Sequence, residues 1–168
     1  MSQIRLKLLI SAIAVLLLAG IGYYKPKTAD CYNVVYYYDG DTVKLDINGK
    51  QEKVRLLGID TPEMNYDSEK DPDCYAKQAS EQLKKIIGNS CVQIKTDQLA
   101  GQKDKYGRLL LYLYLPDNTF VNMQMVSQGH AFSYIYSDNQ YKQEFEQAQQ
   151  EAKSKQLGLW GKNCNYLK

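Results

Sequence analysis

Val54-Arg55-Leu56-Leu57-Gly58-Ile59-Asp60-Thr61-Pro62-Glu63 changes character halfway along. Its first half sets an arginine into an apolar run, as a sheet strand does. Its second half sets two carboxylates around Thr61-Pro62, which continue neither strand nor helix. A strand therefore delivers an acidic turn to one end of a sheet. Arg55 stands five residues behind Asp60 on that rigid strand, so both signs of charge occupy a small space, and that combination suits a metal-bound phosphate. Taken alone, the stretch is explained by a salt-bridged strand end.

The neighbouring sequence supplies the sheet. Residues 34–38 and 43–47 read as strands around the Asp39-Gly40-Asp41 turn, and Asn48-Gly49 is a tight-hairpin dipeptide leading into a third strand at 52–59. Residues 64–73, with Asp67, Glu69, Asp71 and Asp73 against Lys70, form an acidic loop without periodicity. Asp71-Pro72 has the form of a helix start, Tyr75, Ala79, Leu83, Ile86 and Ile87 share one helical face, and Gly88 ends it. Strands at 91–96 and 109–115 flank a polar loop, a short helix follows near 122–128, and 130–136 is extended and aromatic. A last helix begins at Asp138 or Asn139 with Tyr141, Phe145, Ala148 and Ala152 on its apolar stripe; Gly158 caps it and Trp160 folds back as an anchor. The expectation is an α+β fold, a five-stranded OB-fold β-barrel with three helices. Such a fold names no function.

A chain of 168 residues with 44% hydrophobic and 24% charged residues supports one buried core. Tyrosine is abundant, 15 against 3 Phe and 1 Trp, which favours strands and surfaces where a ring carries a polar tip. Residues 1–24 stand apart: Arg5 and Lys7 precede an uncharged run over 8–24, the layout of a signal peptide or an N-terminal membrane anchor. Residues 25–32 read as a linker and 33–163 as the folded domain. Arg5 and Lys7 are the only charges in the leader, so the remainder of the chain is close to neutral. A generally basic nucleic-acid coat is thus excluded, and phosphate binding must come from a local cluster or a metal. Cys31, Cys74, Cys91 and Cys164 show no metal-type spacing and His130 is the single histidine, so two disulfides of open connectivity fit an exported chain better than zinc.

Asp39-Gly40-Asp41-Thr42, Arg55, Asp60 to Glu63, and Lys105-Tyr106-Gly107-Arg108 all fall at one end of the expected barrel. Asp41 and Asp60 are hard oxygen donors that, with a backbone carbonyl and waters, suit calcium better than magnesium. Glu63 is placed to orient or deprotonate a water, and Arg55 and Arg108 offer planar forks for phosphate oxygens. Each segment alone is an ordinary turn; their joint occurrence is what points to chemistry. His130 is assigned to packing or exposure, and Tyr36, Tyr37, Tyr38, Tyr112 and Tyr114 to barrel walls.

The three motifs, Asp-Gly-Asp-Thr at 39–42, Arg-Leu-Leu-x-x-Asp-Thr-Pro-Glu at 55–63 and Asp-Lys-Tyr-Gly-Arg at 104–108, resemble those of the thermonuclease, or staphylococcal nuclease-like, family, and the likeness runs over about 34–160. The resemblance implies that Asp41, Asp60 and the Thr61 carbonyl hold Ca2+, that Glu63 is the general base, and that Arg55 and Arg108 bind the scissile phosphate. It further implies that Lys105 and Tyr106 touch a terminal phosphate and that Tyr134 and Tyr136 line the nucleotide pocket, although they sit one residue closer to Gly129 than in the family's best-known member. The reaction implied is calcium-dependent, sequence-nonspecific hydrolysis of DNA and RNA, leaving 5′-hydroxyl and 3′-phosphate ends. The acidic, lengthened loop after Glu63 and the cysteines depart from that member; placed on such a barrel, Cys31 pairs with Cys91 and Cys74 with Cys164. The expected protein is a monomeric enzyme, secreted, periplasmic or anchored to the outer face of the cell membrane through residues 8–24. The alternative is a non-catalytic OB module that binds nucleic acid or sugar, from which Arg55, Glu63 and Arg108 together distinguish the enzyme.

Overall fold

The structure, a computed structural model, describes residues 30–66, 69–134, 138–162, 164 and 166. The expected leader and Tyr136 lie outside the described residues. Among the described residues no helix is long and apolar enough to cross a membrane.

Strands β1 (Asn33–Tyr37), β2 (Thr42–Ile47), β3 (Lys50–Leu56), β5 (Gln93–Lys95) and β6 (Leu109–Tyr114) form one sheet in the order β1-β2-β3-β6-β5. All neighbours are antiparallel except β3 and β6, which run parallel with Arg55 opposite Leu110. The period of two explains the inward face: Val43, Leu45, Val54 and Leu56 are fully buried, whereas Lys44 and Arg55 take the other face. Strand β6 is a continuous apolar run because both of its faces are covered, with Leu111, Tyr112, Leu113 and Tyr114 all buried. The free edges of β1 and β5 meet at one end, where Tyr32 and Val92 exchange backbone hydrogen bonds of 2.8 Å beside the Cys31–Cys91 disulfide.

The third strand is shorter than the sequence pattern implies. It stops at Leu56, turns through Leu57-Gly58 and restarts as β4 (Ile59–Asp60), which pairs with β7 (Phe132–Ser133). Gly58 makes the break possible: its φ is +79°, and a Cβ there would lie 2.5 Å from the Phe145 ring. Asn122, fully buried, locks the turn by donating from Nδ2 to the Leu57 carbonyl at 2.9 Å while its Oδ1 accepts from Leu113 N at 3.0 Å.

Helix α1 (Ala76–Ile87) buries Ala76, Ala79, Leu83 and Ile87 at helical spacing and ends at Gly88. It begins later than the Asp71-Pro72 signal implied, after Tyr75 in the left-handed region. The reason is local: Asp73 exchanges hydrogen bonds with the Glu63 backbone, which holds this stretch in the loop. Helix α2 (Val121–Ser127) is followed by α3 (Lys142–Ser154), which starts past Asp138 and Asn139 because Asn139 Oδ1 accepts from Tyr141 N and its backbone O from Lys142 N. Trp160 folds back beside Ala152 and Leu159, edge-on to Phe132 at 5.2 Å. Lys155, rather than Gly158, is the C-cap of α3. The second disulfide, Cys74–Cys164, ties the loop ahead of α1 to the C-terminal segment, so both bonds join the cysteines as the barrel placement implied.

Candidate active site

The end of the sheet where β2, β3 and β4 converge carries four acids and one buried arginine. Gly40 allows the acidic turn after β1 to press on α1: a Cβ there would lie 2.8 Å from the Ala79 Cβ and 2.9 Å from Thr61 Cγ2. Asp39 caps the turn by accepting from Asp41 N at 2.9 Å. Asp41 is thereby turned inward, 2% exposed, where Oδ2 accepts from the Thr61 backbone N at 2.7 Å and from its hydroxyl at 3.1 Å.

Arg55 lies on the opposite strand from Thr42 and joins the acids into one unit. Its Nε is 3.1 Å from Asp41 Oδ1 and its Nη2 donates to Asp60 Oδ1 at 2.6 Å. Nη1 donates to the carbonyls of Leu56 and Ile59 at 2.8 and 2.6 Å, which fixes the guanidinium to the β3–β4 turn. A guanidinium has five N–H groups, so at most one Nη2 hydrogen is left to face outward.

The charge around this arginine does not balance. Burial, then the charges of Asp41 and Glu63, lift the Asp60 carboxyl to about 6 although Arg55 beside it pulls the other way. Burial and the Asp41 charge lift Asp39 to about 7. Glu63 is also raised, by burial and Asp41, against the pull of Arg55 and Arg108. Burial works against the Arg55 charge, but Asp41 and Asp60 more than offset it, so the guanidinium stays charged. One cation is being shared among several anions.

Arg108 comes from the loop before β6. Asp104 organises that loop: it accepts from Tyr106 N at 2.9 Å and Arg108 N at 3.0 Å through Oδ1, and from Arg108 Nε at 2.6 Å through Oδ2. Burial pushes Asp104 up, but these hydrogen bonds bring it below the usual carboxylate range. Arg108 Nη1 also lies 3.5 Å from Thr42 Oγ1, which ties the basic loop to the acidic turn.

A cleft of about 590 Å³ opens over this unit, lined by Arg55, Asp60, Glu63, Lys105, Tyr106, Arg108 and Tyr134, with apolar walls from Ile59, Leu99 and Leu110. A smaller cleft of about 270 Å³ adjoins it, sharing Glu63 and Arg108. Asp41 and Thr61 line neither cleft; they are buried beneath, in contact through Arg55 and each other. His130 is half-buried and paired with the Tyr75 hydroxyl at 3.0 Å, lining neither cleft. The sequence reading passed over Asp39, taken only as a turn residue, and Asn122, whose amide pattern carries no motif.

Two carboxylates gripped by one arginine, beside a cleft rimmed by a second arginine, a lysine and an open glutamate, define a centre suited to a phosphate ester. Residues 53–162 match the family model of staphylococcal nuclease homologues. The chain is 39% identical over 171 residues to a thermonuclease of Staphylococcus intermedius, an alignment that covers 95% of this chain and 99% of that protein. A thermonuclease of Staphylococcus hyicus is 35% identical over 77% of this chain and 75% of its own length. Endonuclease YncB of Bacillus subtilis (strain 168) is 38% identical over 74% of this chain and 59% of its own length. The chain belongs to the staphylococcal nuclease homologue family.

Proposed function

We propose that this protein is a nuclease that hydrolyses phosphodiester bonds of DNA and RNA with little sequence preference, depends on calcium, and leaves 5′-hydroxyl and 3′-phosphate ends. The observation that carries the reading is the shared guanidinium of Arg55 between Asp41 and Asp60, with Glu63 and Arg108 on the adjoining cleft. The relatives' names, thermonuclease and endonuclease, point the same way. The sheet edges bridged at Tyr32 and Val92 support a barrel of the OB type.

The donor set fits a hard divalent cation. Among the described residues no three His, Cys, Asp or Glu side chains form a metal-holding cluster by themselves. A site of two carboxylates, Asp41 and Asp60, completed by the Thr61 carbonyl and waters, has the donor type calcium takes. Burial lifts Asp60 most, and the Asp41 and Glu63 charges that add to the lift are what a cation would relieve. Calcium, when bound, supplies charge stabilisation at a phosphoryl oxygen.

The chain's own residues do the rest. Glu63 accepts a proton from water as the water oxygen bonds to phosphorus and the bond from phosphorus to the 5′ oxygen breaks; the departing oxygen takes a proton from solvent. Arg108, with one edge held by Asp104, presents its remaining donors to the phosphate, and Arg55 has at most one N–H to add. Lys105 and Tyr106 stand at the rim for a neighbouring phosphate, and Tyr134 lines the same cleft for the base. Tyr136 is assigned with it from the family resemblance. The two disulfides support an exported location, with residues 1–24 as signal or anchor.

Treating the protein with chelator and then adding back calcium tests the reading. DNA and RNA degradation should stop and return, and end-labelling should find 5′-hydroxyl products. Degradation indifferent to chelator would remove Asp41 and Asp60 from metal binding.

A further inference from the structure

The smaller cleft is not needed to hold the nucleotide assigned to the Tyr134 side, yet it shares Glu63 and Arg108 with the larger one. The two clefts therefore meet at the residues placed on the reacting phosphate. Away from that junction the smaller cleft is bounded by Tyr38, Lys53, Met64 and Tyr66. Its volume, about 270 Å³, lies just under the roughly 300–1,000 Å³ of drug-sized pockets and suits one nucleoside.

The sheet face leading away from it has a matching chemistry. The β1–β2 and β2–β3 registers place Tyr36 opposite Lys44 and Lys44 opposite Lys53, so one ring and two ammonium groups stand in a row across three strands. The Lys53 Nζ lies 4.0 Å and the Lys44 Nζ 6.0 Å from the Tyr38 ring centroid, and Tyr36 meets Tyr38 edge-on at 4.8 Å. Tyr36 is 50% exposed and Tyr66 63% exposed. The expected role as barrel wall holds for Tyr112 and Tyr114, which are buried, and not for this strip. A barrel wall needs neither open rings nor cations over them. Alternating rings and ammonium groups along an open path are what a single strand requires, since bases stack on the rings and phosphates meet the cations.

We infer that Tyr38, Lys53 and Tyr66, continued by Tyr36 and Lys44, form a second nucleotide subsite, which holds the part of a single-stranded nucleic acid across the scissile phosphate from the Tyr134 cleft. The inference rests on the nuclease reading for the phosphate at its centre. Asp39 and Glu63 also face the smaller cleft, so its floor carries no net attraction for a phosphate. The sugar and base sit there, and the next phosphate lies out over Lys53 and Lys44.

The test compares a nucleoside methyl phosphodiester, which carries a nucleoside on one side of the scissile phosphate only, with a single-stranded octanucleotide in calcium, using the full-length chain. Tyr38→Ala should raise KM for the octanucleotide about tenfold with kcat held, the loss expected for one stacked base, while KM for the methyl diester, which leaves the subsite empty, moves less than about twofold. Tyr38→Phe should restore the octanucleotide KM. In a Glu63→Gln background, fluorescence anisotropy should show Lys53→Ala lowering the slope of log affinity against log salt by about 0.7, one phosphate on a single strand. Unchanged octanucleotide KM and salt slope would overturn the subsite, as would an equal loss on the methyl diester, which would put Tyr38 in the larger cleft. If the parent chain cleaves with calcium while those variants behave as parent, only the subsite fails. If the parent neither cleaves nor binds either substrate, the nuclease reading falls with it.

Discussion

Asp60, half-buried, and Asp97, buried, both lose some contact with water, and the protein moves them in opposite directions. Asp97 lies in the loop between β5 and β6, where Oδ2 accepts from the Tyr112 hydroxyl at 2.5 Å and Gln140 N at 2.7 Å and Oδ1 from Leu99 N at 2.7 Å. Burial pushes it up, but these donors more than offset that and hold it below the usual carboxylate range. Asp60 has a full positive charge beside it and is still lifted to about 6, because burial, then the Asp41 and Glu63 charges, outweigh the Arg55 guanidinium that it shares with Asp41. A single acid in a shell of neutral donors is satisfied by the fold. Several acids around one guanidinium are left wanting a cation, which is how a site differs from a structural network.

The largest effect should separate the two at once. Glu63→Gln should lower turnover by about 10²–10⁴-fold, the range for a lost general base, with the melting temperature close to that of the parent chain. Asp97→Asn, assayed beside it, should keep turnover near the parent value. Comparable losses in both would mean that Asp97 belongs to the chemistry and that the contrast is false.

Next in size is the cost of removing the satisfied acid. Asp97→Ala leaves the Leu99 and Gln140 amides without their acceptor and the Tyr112 hydroxyl with the longer contact to Asn139 Oδ1 at 3.3 Å, at about 2–4 kcal/mol, or roughly 5–15 °C in melting temperature. Turnover measured well below the transition should survive. A melting temperature within about 1 °C of the parent would show that water replaces the carboxylate and that this network is dispensable.

The same acid sets an acid limb of known sign. Asp97 has a folded value below the unfolded value of about 3.9, so its contribution is complete above that pH and is lost as pH falls through the folded value. The stability gap between parent and Asp97→Asn should therefore be constant from neutrality to about pH 5 and close below about pH 4. A gap that closes between pH 7 and 6 would contradict the depressed value.

Much of this was legible in the sequence because it depends on local rules. The alternation around Val43, Leu45, Val54 and Leu56, the Asn48-Gly49 hairpin and the stripe from Ala79 to Ile87 each encode their element within a few residues. So do the three motifs that bring Asp41, Arg55, Asp60 and Arg108 to one end. What stayed hidden depends on contacts remote in sequence. The break at Gly58 needs Phe145 and Asn122, 87 and 64 positions away, and a strand pattern has no sign for either. The start of α1 was missed because Asp73 bonds back to Glu63, outcompeting the Asp71-Pro72 signal. Tyr36 and Tyr38 look like Tyr112 and Tyr114 in composition, and only the sheet register shows which pair is covered.

The smallest effect falls on an acid that sits at the site with the fewest attachments. Asp39 is buried beside Asp41, its carboxylate accepts from Asp41 N, and among the described residues it has no ion pair of its own. Asn in its place keeps that acceptor oxygen and removes one of the charges competing for Arg55. In chelator, Asp39→Asn should therefore stabilise the protein by about 1 kcal/mol, or 2–4 °C, as relief of stored repulsion does at many functional sites. Adding calcium should shrink the gain, since a cation at the proposed site would relieve the same repulsion in the parent chain. If Asp39→Asn destabilised the protein equally with and without calcium, the acid would be a plain turn cap, and the surplus charge would belong to Asp41, Asp60 and Glu63 alone.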